Sequence, residues 1–160
     1  MILFRERLWA APWLYIATGA FVIPASLIVF APINFVVGVI TAVVLYAAIV
    51  LLLIASAPVI EVTNDELRAG RARIARSLLG SASWFDGADA TAERGPRLDA
   101  RAWLLIRGWV KPVVRVEVLD VDDPAPYWLL SSRRPAELVH ALSTRAGDER
   151  PPAREQNSED

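Results

Sequence analysis

The chain has 160 residues, a formal charge of -1, no cysteine and a mean hydropathy of +0.36. That length fits one domain, or a small domain with an anchor. The missing cysteine excludes disulfides, thiolate metal sites and thiol nucleophiles, and the near-neutral charge argues against nucleic acid as a partner.

Arg5 and Arg7 open the chain, and from Leu8 to Ile60 there is no Asp, Glu, Lys or Arg. A bilayer core is about 30 Å thick and one crossing takes about 20 helical residues, so this run can cross twice. It breaks at Ala31-Pro32-Ile33-Asn34, which predicts spans over about 9–30 and 35–55 joined by a tight turn. The apolar run is too long for the h-region of a cleaved signal peptide. Pro12 suits a first helical turn, and Pro24 is expected to kink or end the helix. Gly38 and Ala42 form a small-xxx-small pair that would pack the hairpin on itself or build a homodimer. Arg5 and Arg7 before the spans, and Arg68, Arg71, Arg73 and Arg76 after them, predict a multi-pass protein of the inner (plasma) membrane with both termini cytoplasmic.

From Pro58 the pattern turns to short alternating runs. Val59–Thr63 reads as a strand and Asn64-Asp65 as a turn. Leu67–Ala69 and Ala72–Ile74 flank Gly70, and Ser83–Asp86 follows. Ala88–Asp99 is polar and reads as a long loop. Arg101–Arg107, Val113–Asp120 and Pro126–Ser132 read as further strands, the middle one with Val114, Val116 and Val118 on one face. Pro135, Glu137, Leu138, Val139 and Leu142 predict a closing helix. Beyond Ala146 the chain is Pro, acid and Arg, and disorder is expected.

The expected fold class is therefore an α+β membrane protein. Residues 1–57 form a transmembrane helical hairpin. Residues 58–145 form a small cytoplasmic domain of about seven antiparallel strands and one C-terminal helix, an element order like that of pleckstrin-homology domains. Residues 146–160 form a disordered acidic tail.

Phe4-Arg5-Glu6-Arg7-Leu8-Trp9, Ala57–Thr63, Leu67-Arg68-Ala69-Gly70, Leu98–Ala102, Arg107-Gly108-Trp109-Val110 and Pro126–Pro135 together resemble an uncharacterised family of small actinobacterial membrane proteins, domain-of-unknown-function family 3093. The resemblance spans roughly residues 1 to 142. It implies the topology above and carries no catalytic residue.

Chemistry is scarce. His140 is the single histidine and sits in the predicted helix, so a surface or half-buried role is the expectation. There is no nucleophile elbow, phosphate loop or dinucleotide fingerprint. Asp120, Asp122 and Asp123 read as a solvated turn, and Asp86, Asp89 and Glu93 as loop acids. No enzyme, cofactor or metal site is expected. Two basic groups are candidate sites: Arg68, Arg71, Arg73 and Arg76 for anionic lipid, and Ser131, Ser132, Arg133 and Arg134 for an anion at a helix start. The leading expectation is a non-enzymatic, membrane-anchored binding or scaffold module contacting a protein or lipid partner. The alternative is a small accessory subunit of a transport or envelope-assembly complex.

Overall fold

The computed structural model describes residues 1–30 and 32–144; the tail expected to be disordered lies outside them. The chain opens with a strand, β1 (Ile2–Arg7), and then enters helices α1 (Pro12–Phe30) and α2 (Phe35–Ala55). Strands β2 (Val59–Thr63), β3 (Glu66–Ala69) and β4 (Ala72–Ala75) follow. A single 3-10 turn (Arg76–Leu78) leads to β5 (Leu79–Phe85) and helix α3 (Gly87–Arg94). The remaining elements are β6 (Trp103–Leu105), β7 (Val113–Val118), β8 (Tyr127–Ser131) and helix α4 (Pro135–Ser143).

Both long helices are long and apolar enough to cross a membrane. At about 1.5 Å per residue, α1 (19 residues) and α2 (21 residues) are roughly 28 and 31 Å long. α1 starts at Pro12, and it continues through Pro24 rather than ending there. The turn between the helices contains Asn34, whose Oδ1 accepts from the backbone N–H groups of Val36 and Val37 and caps α2. The inward faces are narrow: Val22 and Ser26 on α1, Gly38 and Ala42 on α2. A Cβ at Gly19 would sit 3.3 Å from Tyr46 Cε2, and the Tyr46 hydroxyl donates to the Tyr15 carbonyl at 3.3 Å. The small residues thus let the two backbones approach. Outward, Phe21, Ile28, Leu51 and Leu52 are exposed.

Beyond the hairpin the strands form two four-stranded sheets, in the orders β1-β2-β3-β4 and β5-β7-β8-β6. This corrects the expected single antiparallel set of about seven strands in two ways. First, the residues before α1 are a sheet strand rather than a flank. β1 pairs antiparallel with β2, from Arg7 opposite Val59 to Ile2 opposite Thr63. Phe4-Arg5-Glu6-Arg7 alternates, with Phe4 and Glu6 buried and Arg5 and Arg7 exposed. Second, β6 pairs with β8 in parallel, Trp103 opposite Trp128. The chain passes from β6 to β8 through β7, which pairs antiparallel with β8, while α3 and its flanking loop carry it from β5 across to β6 on the far edge of the sheet. The expected loop over Ala88–Asp99 contains a helix. Asp86 caps it through Gly87 N–H at 2.7 Å, and Gly87 takes φ +55 at the bend.

The main core lies between the sheets. Ile60, Val62, Leu67 and Ile74 from the first meet Val114, Val116, Trp128 and Leu130 from the second, with Leu138 and Ala141 of α4 against both. Each fully buried aliphatic side chain contributes about 1.5–3 kcal/mol relative to exposure. A smaller core on the outer side of the second sheet joins Ala90 of α3 to Val113, Tyr127 and Leu129. β8 is thus buried on both faces, which is why Tyr127–Leu130 reads as a continuous apolar run.

Candidate functional site

The strand pairing of β1 with β2 brings the two ends of the hairpin together. Leu8 N–H donates to the Pro58 carbonyl at 2.9 Å. Three arginines then bind carbonyls at the foot of the hairpin. Arg7 Nη2 donates to Ile54 O at 2.9 Å, Arg107 Nη2 to Ser56 O at 3.3 Å, and Arg133 Nη2 to Trp9 O at 2.6 Å. Ile54 and Ser56 lie at the C-terminal end of α2, where carbonyls lack helical partners and the helix dipole is negative. The Arg7 guanidinium lies 4.3 Å from the Trp9 ring centroid and that of Arg107 5.9 Å from Trp109.

Behind this collar sits a buried carboxylate. Glu6 is 6 % exposed, and it accepts from Ser132 Oγ at 2.6 Å and from Arg133 N–H at 2.9 Å. Ser132 Oγ in turn accepts from Arg134 N–H at 3.1 Å. Ser131, Ser132, Arg133 and Arg134 are the candidate site for an anion at the start of α4. The group that fills that position is the chain's own Glu6. Ser131 Oγ accepts from Arg107 N–H at 3.0 Å, and Arg134 pairs with Glu137 at 3.1 Å and donates to Arg5 O at 2.8 Å. The four residues lock β1 to α4 and to the Arg107 loop.

The other predicted group divides. Arg76 turns away from the hairpin: its guanidinium donates to the carbonyls of Thr63, Ala141, Leu142 and Thr144 and so caps α4. Arg68 and Arg73 are exposed and stand directly opposite one another on β3 and β4. Arg71 lies in the turn between them, beside Gly70, whose φ of +63 is the left-handed conformation that glycine adopts readily. Gly70 N–H donates to Val59 O, so this turn lies at the hairpin end of the sheet. Arg68, Arg71 and Arg73 thus form one basic tip, and Arg76 is not part of it.

The acids have local work. Glu93 is 3 % exposed and pairs with Arg115 at 3.4 Å and Arg97 at 3.6 Å. Asp89 pairs with Arg97 at 3.3 Å. Asp120 and Asp123 accept turn N–H groups from Asp122 and Ala125. The Asp99 carboxyl is held below the usual carboxylate range, first by the side-chain hydrogen bond from Arg101 and then by its backbone N–H. Exposed His140 lines a shallow hollow with Leu3, Phe4 and Glu137. Among the described residues no three His, Asp or Glu side chains converge as a metal site would need.

Sequence reasoning missed Glu6, Arg107 and Trp109. Only Glu6 left a signal, the alternation of Phe4–Leu8 just before the apolar run.

A family model described as "Protein of unknown function (DUF3093)" matches residues 3–142. The chain belongs to that family. The DUF3093 match begins inside β1 and ends inside α4, so it takes in the hairpin, both sheets and the foot between them. No curated protein and no solved structure gives a significant match to this DUF3093 chain.

Proposed function

We propose that this protein is a non-enzymatic module held in the plasma membrane by α1 and α2, with both termini on the cytoplasmic side. Its two sheets and α4 form a pleckstrin-homology-like binding domain that contacts a protein or lipid partner at the bilayer surface. The observation that carries this reading is the pairing of β1 with β2. Strands on either side of the hairpin share one sheet, so a hairpin in the bilayer must leave and re-enter on the same side. The exposed apolar faces of α1 and α2 would be costly in water and neutral in lipid. The acids described above are paired, capped or in turns, which supports binding rather than catalysis.

Alkaline extraction of membranes tests the anchoring. The protein should stay in the pellet, and recovery in the wash would refute it. Affinity capture of the detergent-solubilised chain, together with a vesicle-binding series, tests the binding role; neither a partner nor a lipid preference would contradict it.

A second reading is an accessory subunit whose hairpin packs on larger membrane subunits. It is favoured by an apolar groove of about 250 Å³ along the helices, whose lining includes Ile23, Leu27, Val39, Val43 and the ring of Tyr46. Photocrosslinking from Val39 separates the two readings. Adducts with other membrane proteins support the subunit, and lipid adducts alone support the anchor.

A further inference from the structure

We propose that the hairpin-facing end of the domain is a binding surface for anionic phospholipid headgroups. The inference rests on the two proposed spans and adds the ligand class.

Ion pairing is uneven across the domain. Arg5, Arg97, Arg101, Arg115 and Arg134 each have a carboxylate within ion-pair distance. At the foot of the hairpin several basic groups do not. Arg7, Arg107 and Arg133 are bound to neutral carbonyls, which fix their position, and none of the three joins an ion pair among the described residues. Exposed Arg71 and Lys111 join no ion pair among the described residues. Lys111 belongs to this end because its neighbour Pro112 accepts from Ser132 N–H, beside the Glu6 lock.

Arg68 and Arg73 form a cross-strand pair of like charge. Like charges directly opposite on a sheet are destabilising, and here Arg71 adds a third at the same tip. Glu61, in register with Arg68, is engaged by Arg5 at 3.6 Å. A bound anion removes that repulsion.

Charge also varies along the length of the domain. Two acidic segments lie at the opposite end, Asp65 in the turn before β3 with Glu66 opening that strand, and Asp120, Asp122 and Asp123 after β7; Asp86, just after β5, is an acid at the basic end. The basic end also carries exposed Trp9 and Trp13, and Trp84 where β5 ends alongside the start of β7. Tryptophan and arginine together suit the headgroup layer, where an amphipathic ring and a phosphate-binding fork are both satisfied. The anion comes from the bilayer because Arg7, Arg107 and Arg133 are fixed at the foot of the proposed spans, where the headgroups would lie.

The test uses the full chain reconstituted in phosphatidylcholine vesicles with and without phosphatidylglycerol, reading lipid selectivity by competition with a labelled headgroup analogue. Wild type should prefer phosphatidylglycerol, and the preference should weaken with salt. Arg71→Gln with Lys111→Gln, both at exposed positions, should lower it by roughly five-fold per charge. Arg97→Gln with Arg101→Gln, equal in charge change but in the α3–β6 segment and in ion pairs, should leave it unchanged. Wild type without preference, or the first pair indistinguishable from wild type, would overturn the inference while the spans stand. So would inorganic phosphate displacing the lipid beyond chloride of equal ionic strength. A chain released from membranes by alkali would overturn both the spans and the inference.

Discussion

Glu6 shows how much one residue can decide. A carboxylate inside a protein is tolerated only when its oxygens are bonded, and here each oxygen has one donor. Glu6→Ala leaves the Ser132 hydroxyl and the Arg133 N–H facing an emptied site. We expect a loss of about 2–3 kcal/mol, measured by denaturant unfolding in detergent. Glu6→Gln, which keeps one acceptor, should lose less. Asp99 is a different case, an exposed carboxylate held low by Arg101. Because its folded-state value is depressed, the stabilisation it adds is present at neutral pH and lost as pH falls through that value. An NMR titration of Asp99 should give a value below the aspartate norm of about 3.9, returning toward it in Arg101→Gln. An unchanged titration in the variant would remove Arg101 as the cause.

At the scale of elements, α4 depends on the basic residue at its far end. Arg76 binds three carbonyls at the end of α4, at 2.9, 2.8 and 2.6 Å. Arg76→Ala should cost about 2 kcal/mol and raise amide exchange in α4 before any other element. The hairpin depends on small residues instead. Ala42 is 4 % exposed, and Ala42→Leu should destabilise helix packing by about 1–3 kcal/mol, read from its thermal midpoint in detergent.

The same elements show what was legible. The apolar run from Leu8 to Ile60, the strands about Val59–Thr63 and Val113–Val118, and the helix after Pro135 all follow local pattern, and each forms close to where pattern places it. β1 was hidden because six residues beside a long apolar run read as its flank, and its pairing with β2 spans the whole hairpin. α3 was hidden because its polar, Pro/Gly-flanked segment buries little more than Ala90 and Glu93. The parallel pairing of β6 is a tertiary choice that no local periodicity encodes. At the foot of the hairpin the basic residues were visible one by one. Which of them gather there was not, since Arg76 and Arg71 differ only in where the fold turns them.

At the level of the whole molecule, we propose one arrangement for the helical pair, the two sheets and the charge asymmetry: hairpin in lipid, basic end against the headgroups, acidic turns away. The absence of cysteine makes this directly measurable, because any introduced thiol is the only one. Ile33→Cys lies in the turn between the helices and Val121→Cys in the loop after β7, both highly exposed positions. A membrane-impermeant maleimide applied to intact cells should label Ile33→Cys, and should label Val121→Cys only after lysis. Labelling of Val121→Cys from outside, or protection of Ile33→Cys until lysis, would contradict the account.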